Sequence, residues 1–171
     1  LTEALRNLDG VAVDIHCFGG LREDGAIGYS TPVSFADANP AVQAIATDLD
    51  IANNLQNVDI IHSHTWYANM AGHFGALLHG VPHVITAHSL EPLRPWKADQ
   101  LGGGYQISSW AEKSAYESAD AIIAVSDGMR ADVLAAYPNV DPAKVVTIRN
   151  GVDVDRFKPT TDTALLAELG I

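Results

Sequence analysis

The feature that most constrains this chain is the alternation of strand-like and helix-like segments. Residues 11–18 (VAVDIHCF) are β-branched and alternating, a strand pattern. Residues 39–56 (NPAVQAIATDLDIANNLQ) read as a helix with Asn39 as its cap and Pro40 at its first position. A short buried strand (DIIHSH, 59–64) and a helix ended by Gly80 (WYANMAGHFGALLHG, 66–80) come next. The order continues with a strand (PHVITAH, 82–88), a helix (ISSWAEKSAYESA, 107–119) and a strand (DAIIAVS, 120–126). It closes with a helix stopped at Pro138 (DGMRADVLAAYP, 127–138) and a last strand (KVVTIRN, 144–150). Such alternation predicts βαβ units, a parallel sheet with helices on both faces, and right-handed crossovers. The apolar runs AIIAV and VVTI fit strands covered on both sides. The expected class is α/β, a Rossmann-like three-layer sandwich with a mainly parallel sheet.

The opening LTEALRNL places Leu1, Ala4, Leu5 and Leu8 at helical spacing. A helix at the first residue has no strand before it. The expectation is a fragment whose first strand lies upstream.

With 171 residues, the chain is long enough for one domain with a sizeable core. A formal net charge of −11 argues against a nucleic-acid partner, because phosphate backbones call for clustered Lys and Arg. No apolar run approaches the ~20 residues that span a bilayer, and no secretory leader pattern is present. Cys17 is the only cysteine, which excludes an internal disulfide and fits a reducing, cytoplasmic compartment.

In parallel α/β sheets ligands bind outside the carboxyl ends of the strands. Here those ends are Phe18-Gly19-Gly20, Ser63-His64-Thr65, Ala87-His88-Ser89, Ser126-Asp127 and Arg149-Asn150-Gly151. Small and polar residues dominate them, as a ligand rim requires.

Six of the seven histidines fall between Ile61 and Glu91: His62, His64, His73, His79, His83 and His88. His62 and His64 are two apart on one strand and share a face. A zinc site needs a third protein ligand, and neither H-x-H-x-D-H nor H-E-x-x-H occurs, so no metal site is assigned. His62 reads as a packed or hydrogen-bonded strand residue, and His64 as a rim residue. His16, His73, His79 and His83 read as packing or surface residues. His88 ends a buried strand and precedes a long polar loop, SLEPLRPWKADQLGGGY, carrying Glu91, Arg94, Trp96, Lys97 and Tyr105. Its glycines, Gly102 to Gly104, permit close backbone approach or a hinge, but lack dinucleotide-fingerprint spacing. Ser109-x-x-Glu112 reads as a capping box, and Ser126-Asp127 as the cap of the following helix.

Four stretches then carry a resemblance: DIIHSHTWYANMAG, GVPHVITAHSLEPLRPWKADQLGGGY, YESADAIIAVSDGMRADV and VVTIRNGVDVDRFKP. They resemble retaining glycosyltransferases of the GT-B fold, family 4. The likeness is greatest to the actinobacterial glycogen-synthase group, related to enzymes that make α-maltose 1-phosphate from ADP-glucose. The resemblance implies two Rossmann-like domains facing across a cleft. Residues 1–158 would be the N-terminal, acceptor-side domain, and 159–171 a linker toward a C-terminal domain that holds most of the donor.

The resemblance also assigns roles. His88 matches the histidine beside the donor sugar, hydrogen-bonding its hydroxyls and helping electrostatically as the anomeric carbon becomes cationic. His64, Trp66 and Tyr67 match the acceptor side. Ser89, Glu91, Arg94 and Lys97 would bind substrate, the two cations through a phosphate or glucan. Asn150, Gly151 and Asp153 match the inter-domain hinge, with Asn150 also at the substrate. Some relatives carry an acid at the position of Thr65. The implied partners are a nucleotide-sugar donor and a glucan or sugar-phosphate acceptor, with no cofactor and no metal; the assembly considered is a homodimer. Retention would proceed without an agreed protein nucleophile, the leaving diphosphate taking the acceptor's proton. The fragment alone should be inactive. Three alternatives stay open: another acceptor such as an inositol phosphate or lipid-linked sugar, a free-standing sugar- or nucleotide-binding module, and a metal hydrolase built on the histidines.

Overall fold

Parallel strands cannot be joined by tight turns, so each pair needs a crossover, here mostly a helix. The computed structural model describes residues 1–159 and 163–170. Strands β1 (His16–Phe18) and β2 (Ile27–Tyr29) pair in parallel, with His16 opposite Ile27. Strands β3 (Ile61–His64), β4 (His83–Ala87), β5 (Ala121–Ala124) and β6 (Val145–Thr147) form a second parallel sheet in that spatial order. The helices are α1 (Thr2–Arg6), α2 (Pro40–Asn54), α3 (Trp66–His79), α4 (Lys97–Leu101), α5 (Gly104–Ser118), α6 (Asp127–Ala136) and α7 (Ala164–Glu168).

Because β3 to β6 are added in one direction, right-handed crossovers put α3, α5 and α6 on one face. The core agrees. Ile85, Ala87, Ile122, Ala124 and Val145 from the sheet meet Met70 of α3, Ala111, Ala115 and Tyr116 of α5, and Val133 of α6 in one cluster. Each large apolar side chain buried there stabilises by about 1.5–3 kcal/mol. A smaller cluster of Tyr29, Ile51 and Ala71, with Phe18 against it, ties the β1–β2 pair to α2 and α3. On the opposite face, His62, His64 and Thr86 border a cleft shared with α1.

Local chemistry sets the ends of the elements. The Asn39 side chain accepts the Ala41 N–H at 2.9 Å, and Pro40 opens α2. Gly80 caps α3 in the left-handed conformation at φ 67°. Ser126 Oγ accepts the Met129 N–H at 3.0 Å, the expected cap of α6. Gly72 lets α3 lie on the sheet, since a Cβ there would meet His83 Nε2 at 2.1 Å. Gly104 gives the close approach expected of its glycine cluster, with a Cβ position 2.1 Å from Asn39 Oδ1.

Several expectations need correction. The first strand spans His16–Phe18 rather than residues 11–18, because the ladder to β2 begins only where Ile27 N–H reaches the Ile15 carbonyl. The stretch after His88 is not structureless: it contains a single turn at Glu91–Leu93 and then α4. Helix α5 starts at Gly104, so Ser109 lies inside it and cannot cap it. The linker at 159–171 remains an expectation: residues 160–162 and 171 lie outside the described residues, and Ala164–Glu168 form α7. Among the described residues no helix is long and apolar enough to cross a membrane.

Candidate functional site

The register sets His64 of β3 opposite Thr86 of β4, so the two strands end side by side. Strand alternation sends His62 and His64 to the cleft face. The rings of His62 and His64 stack with centroids 4.5 Å apart. His62 Nε2 lies 2.7 Å from Thr86 Oγ1. His64 Nδ1 lies 3.0 Å from Nε2 of His88, the residue that follows β4. A continuous polar row therefore runs Thr86–His62–His64–His88. Arg149, Asn150, Gly151 and Asp153 line the same cleft from the chain after β6.

Burial pushes His64 down to about 4, and His62 and His88 beside it push the same way. Burial, and then His88, also lowers His62. Adjacent half-buried imidazoles resist protonation because each charge would be poorly solvated and near another. His62 and His64 are therefore neutral at pH 7. Among the described residues, no group of three or more His, Cys, Asp or Glu side chains is arranged to hold a metal ion.

Between β3 and α3 the chain turns through Thr65 at φ 67°, ψ 152°. A β-branched residue at positive φ is a genuine outlier, and such strain costs about 1–3 kcal/mol and concentrates at functional sites. The Thr65 hydroxyl donates to the His64 carbonyl at 2.5 Å, which helps hold the turn. Trp66 and Tyr67 follow at once, edge to face at 6.0 Å, and Phe18 meets Tyr67 edge to face at 5.6 Å. Aromatic contacts thus join the carboxyl end of β1 to the start of α3, just after β3.

The loop after His88 is held from beneath. Glu91 is 1% exposed and accepts the Ser108 hydroxyl at Oε2, 2.8 Å away. Its carboxylate faces α5 and not the cleft. Arg94 Nη1 is 4.0 Å from Glu91 Oε1 and donates to Ser89 Oγ at 3.4 Å, so it bridges the loop. Lys97 opens α4, away from the residues lining the cleft. The structure therefore brings His64, His88 and Asn150 into one cleft, sets Trp66 and Tyr67 next to His64, and holds Ser89 by Arg94. It does not bring Glu91 or Lys97 to that cleft.

Glu112 is the residue that sequence reasoning misplaced. It is 2% exposed and accepts both the Glu91 backbone N–H, at 2.7 Å, and the Tyr137 hydroxyl. Burial pushes Glu112 up to about 7, against the lowering effect of those two hydrogen bonds. A signal was present. Ser108, Ala111, Glu112, Ala115 and Tyr116 form the buried stripe of α5, and an acid within such a stripe must have partners.

Three of the remaining histidines are held by hydrogen bonds, and His79 is exposed at the end of α3. His83 is buried and hydrogen-bonds to Ser63, which donates to Asn69. His73 bonds to Ser118, and His16 to the Tyr29 hydroxyl.

A parallel sheet with helices against it and polar side chains at its strand ends defines a Rossmann-like α/β domain. The chain belongs to Glycosyltransferase Family 4, whose sequence pattern matches residues 1–156. It is 52% identical over 162 residues to alpha-maltose-1-phosphate synthase of Mycolicibacterium smegmatis, covering 93% of this chain and 42% of that protein. Against the Mycobacterium tuberculosis H37Rv protein of the same name, identity is 49%, covering 94% of this chain and 42% of the relative. A D-inositol 3-phosphate glycosyltransferase of Mycobacteroides abscessus is 33% identical over 66% of this chain and 26% of its own length. The chain therefore spans less than half the length of these relatives. The crystal structure of Anabaena Alr3699/HepE in complex with UDP-glucose superposes with a TM-score of 0.61 at 15% identity, over 85% of this chain and 36% of that one, a likeness of fold.

Proposed function

We propose that this chain is the acceptor-side domain of a retaining glucosyltransferase, a cytoplasmic enzyme using ADP-glucose. The acceptor in this reading is an α-glucan or glucose 1-phosphate, and a C-terminal domain supplies the main donor contacts. One observation carries the reading: His64 and His88 are hydrogen-bonded at the ends of neighbouring strands, lining one cleft, in a chain 52% identical to alpha-maltose-1-phosphate synthase. A neutral imidazole hydrogen-bonds sugar hydroxyls without opposing the positive charge that develops at the anomeric carbon. Trp66 and Tyr67 offer apolar ring surface with a polar edge, which suits the faces of an acceptor sugar. Arg94, drawn from Ser89, would answer a phosphate on the acceptor or donor.

The test is a panel of donors and acceptors with the complete enzyme. ADP-glucose should give the highest kcat/KM among nucleotide sugars, with glucose 1-phosphate or a maltooligosaccharide as acceptor and an α-configured product. Preferential transfer to an inositol phosphate would assign the acceptor of the 33% identical relatives instead. No transfer to any acceptor would leave a sugar-binding module.

A further inference from the structure

The His64–His88 contact joins two ring nitrogens, Nδ1 of one and Nε2 of the other, 3.0 Å apart. The rings are only 22° from parallel planes. A hydrogen bond between two imidazole nitrogens needs hydrogen on one and a bare lone pair on the other. Each neutral imidazole carries a single N–H. It follows that the outer nitrogens, Nε2 of His64 and Nδ1 of His88, are always opposite. If His64 donates to His88, His64 Nε2 is bare and His88 Nδ1 carries hydrogen. If His88 donates, both reverse.

His62 stacks on His64 and is itself fixed by Thr86. The other titratable or charged groups lining the cleft are the Leu1 amino group, Glu3 of α1, and Arg149 and Asp153 after β6.

We propose that His64 and His88 form one recognition unit, a coupled donor and acceptor for two neighbouring hydroxyls of a neutral sugar. His64 is the positioning residue, setting which nitrogen of His88 carries hydrogen. This rests on the reading of the cleft as a sugar site. A hydroxyl both donates and accepts, so a pair of adjacent hydroxyls satisfies both outer nitrogens in either arrangement. A fully ionised phosphate only accepts and satisfies one of them. Switching between the arrangements keeps the pair neutral. The shared hydrogen crosses to the other ring, the receiving ring gives up its outer proton to the bound hydroxyls, and the donating ring's outer nitrogen takes one from them.

The experiment uses the full-length enzyme with its histidines labelled in nitrogen-15. Two-bond nitrogen–proton correlation reads which nitrogen of each ring carries hydrogen. Wild type should show complementary forms for His64 and His88, and added glucose should shift both rings together while sulfate, an oxyanion with no hydroxyl at neutral pH, does not. In a folded His64→Ala variant, the hydrogen distribution over the His88 nitrogens should change, and KM for the sugar donor should rise about tenfold, the size of one lost hydrogen bond. His64→Asn, which keeps an N–H near the position of Nδ1, should restore most of the wild-type spectrum and KM. His88 nitrogens unchanged in His64→Ala would overturn the coupling. Intact coupling with unchanged turnover in His88→Ala would overturn the sugar assignment instead, so the two failures are distinct.

Discussion

Glu112 on α5 accepts the backbone N–H of Glu91, three residues beyond His88, at 2.7 Å. The same oxygen accepts the Tyr137 hydroxyl. One buried acid thus fastens the His88 loop to the end of α6. Glu112→Ala strands two buried donors and should cost about 2–4 kcal/mol. Urea unfolding checks this, and a loss under ~0.5 kcal/mol would show that the loop does not depend on the contact.

The same residue gives a pH dependence. Burial raises Glu112 from the model-peptide value of 4.5 to about 7 in the folded chain. The unfolded state therefore releases its proton first, so the stability from neutral Glu112 is present below pH 4.5 and lost as pH rises through 7. Glu112→Gln cannot ionise. Its Tm should fall less than wild type between pH 5 and 8, and parallel curves would remove Glu112 as the titrating group.

Asp48 on α2 is fully buried, and the backbone N–H of Ala71 is the one group that favours its charged form. Burial pushes it up to about 9, so the sign is the same over a higher window. Above the pH 5–7 range in which Glu112 acts, wild type should go on losing stability toward pH 9, whereas Asp48→Asn should hold its Tm from about pH 7 to 9. A variant that loses Tm in parallel with wild type would show that Asp48 is not the cause.

Thr65 tests the strained turn. Its φ of 67° carries a strain cost that glycine lacks. Relief of about 1–3 kcal/mol offsets the roughly 1 kcal/mol that glycine loses in unfolded-state entropy, so Thr65→Gly should leave Tm unchanged or raised. If activity falls while Tm holds, the strain serves to aim His64 and Trp66. A clear fall in Tm would show that the Thr65 hydroxyl bond to the His64 carbonyl outweighs the strain.

What could be read from the sequence was local. Helix α3 announces itself through its small and apolar residues and the glycine that stops it, and Asn39-Pro40 and Ser126 announce α2 and α6. Strand β2 gives no such signal, because Ile27-Gly28-Tyr29 is too short for a period and Gly28 carries no side chain. At Glu112 two local patterns compete, and the capping spacing from Ser109 hides the buried stripe that decides its place. The strain at Thr65 is invisible, since a β-branched residue gives no hint of positive φ. His64 and His88 were each identifiable as rim residues, but their contact spans 24 positions and exists only through the register of β3 on β4.

The most direct test of the account is the turnover of His88→Ala in the complete enzyme, measured with ADP-glucose. The account predicts a loss of at least ~10²-fold in kcat, the usual size for a positioned polar group at the reacting centre, with Tm unchanged. Turnover equal to wild type would contradict it and remove His88 from the mechanism.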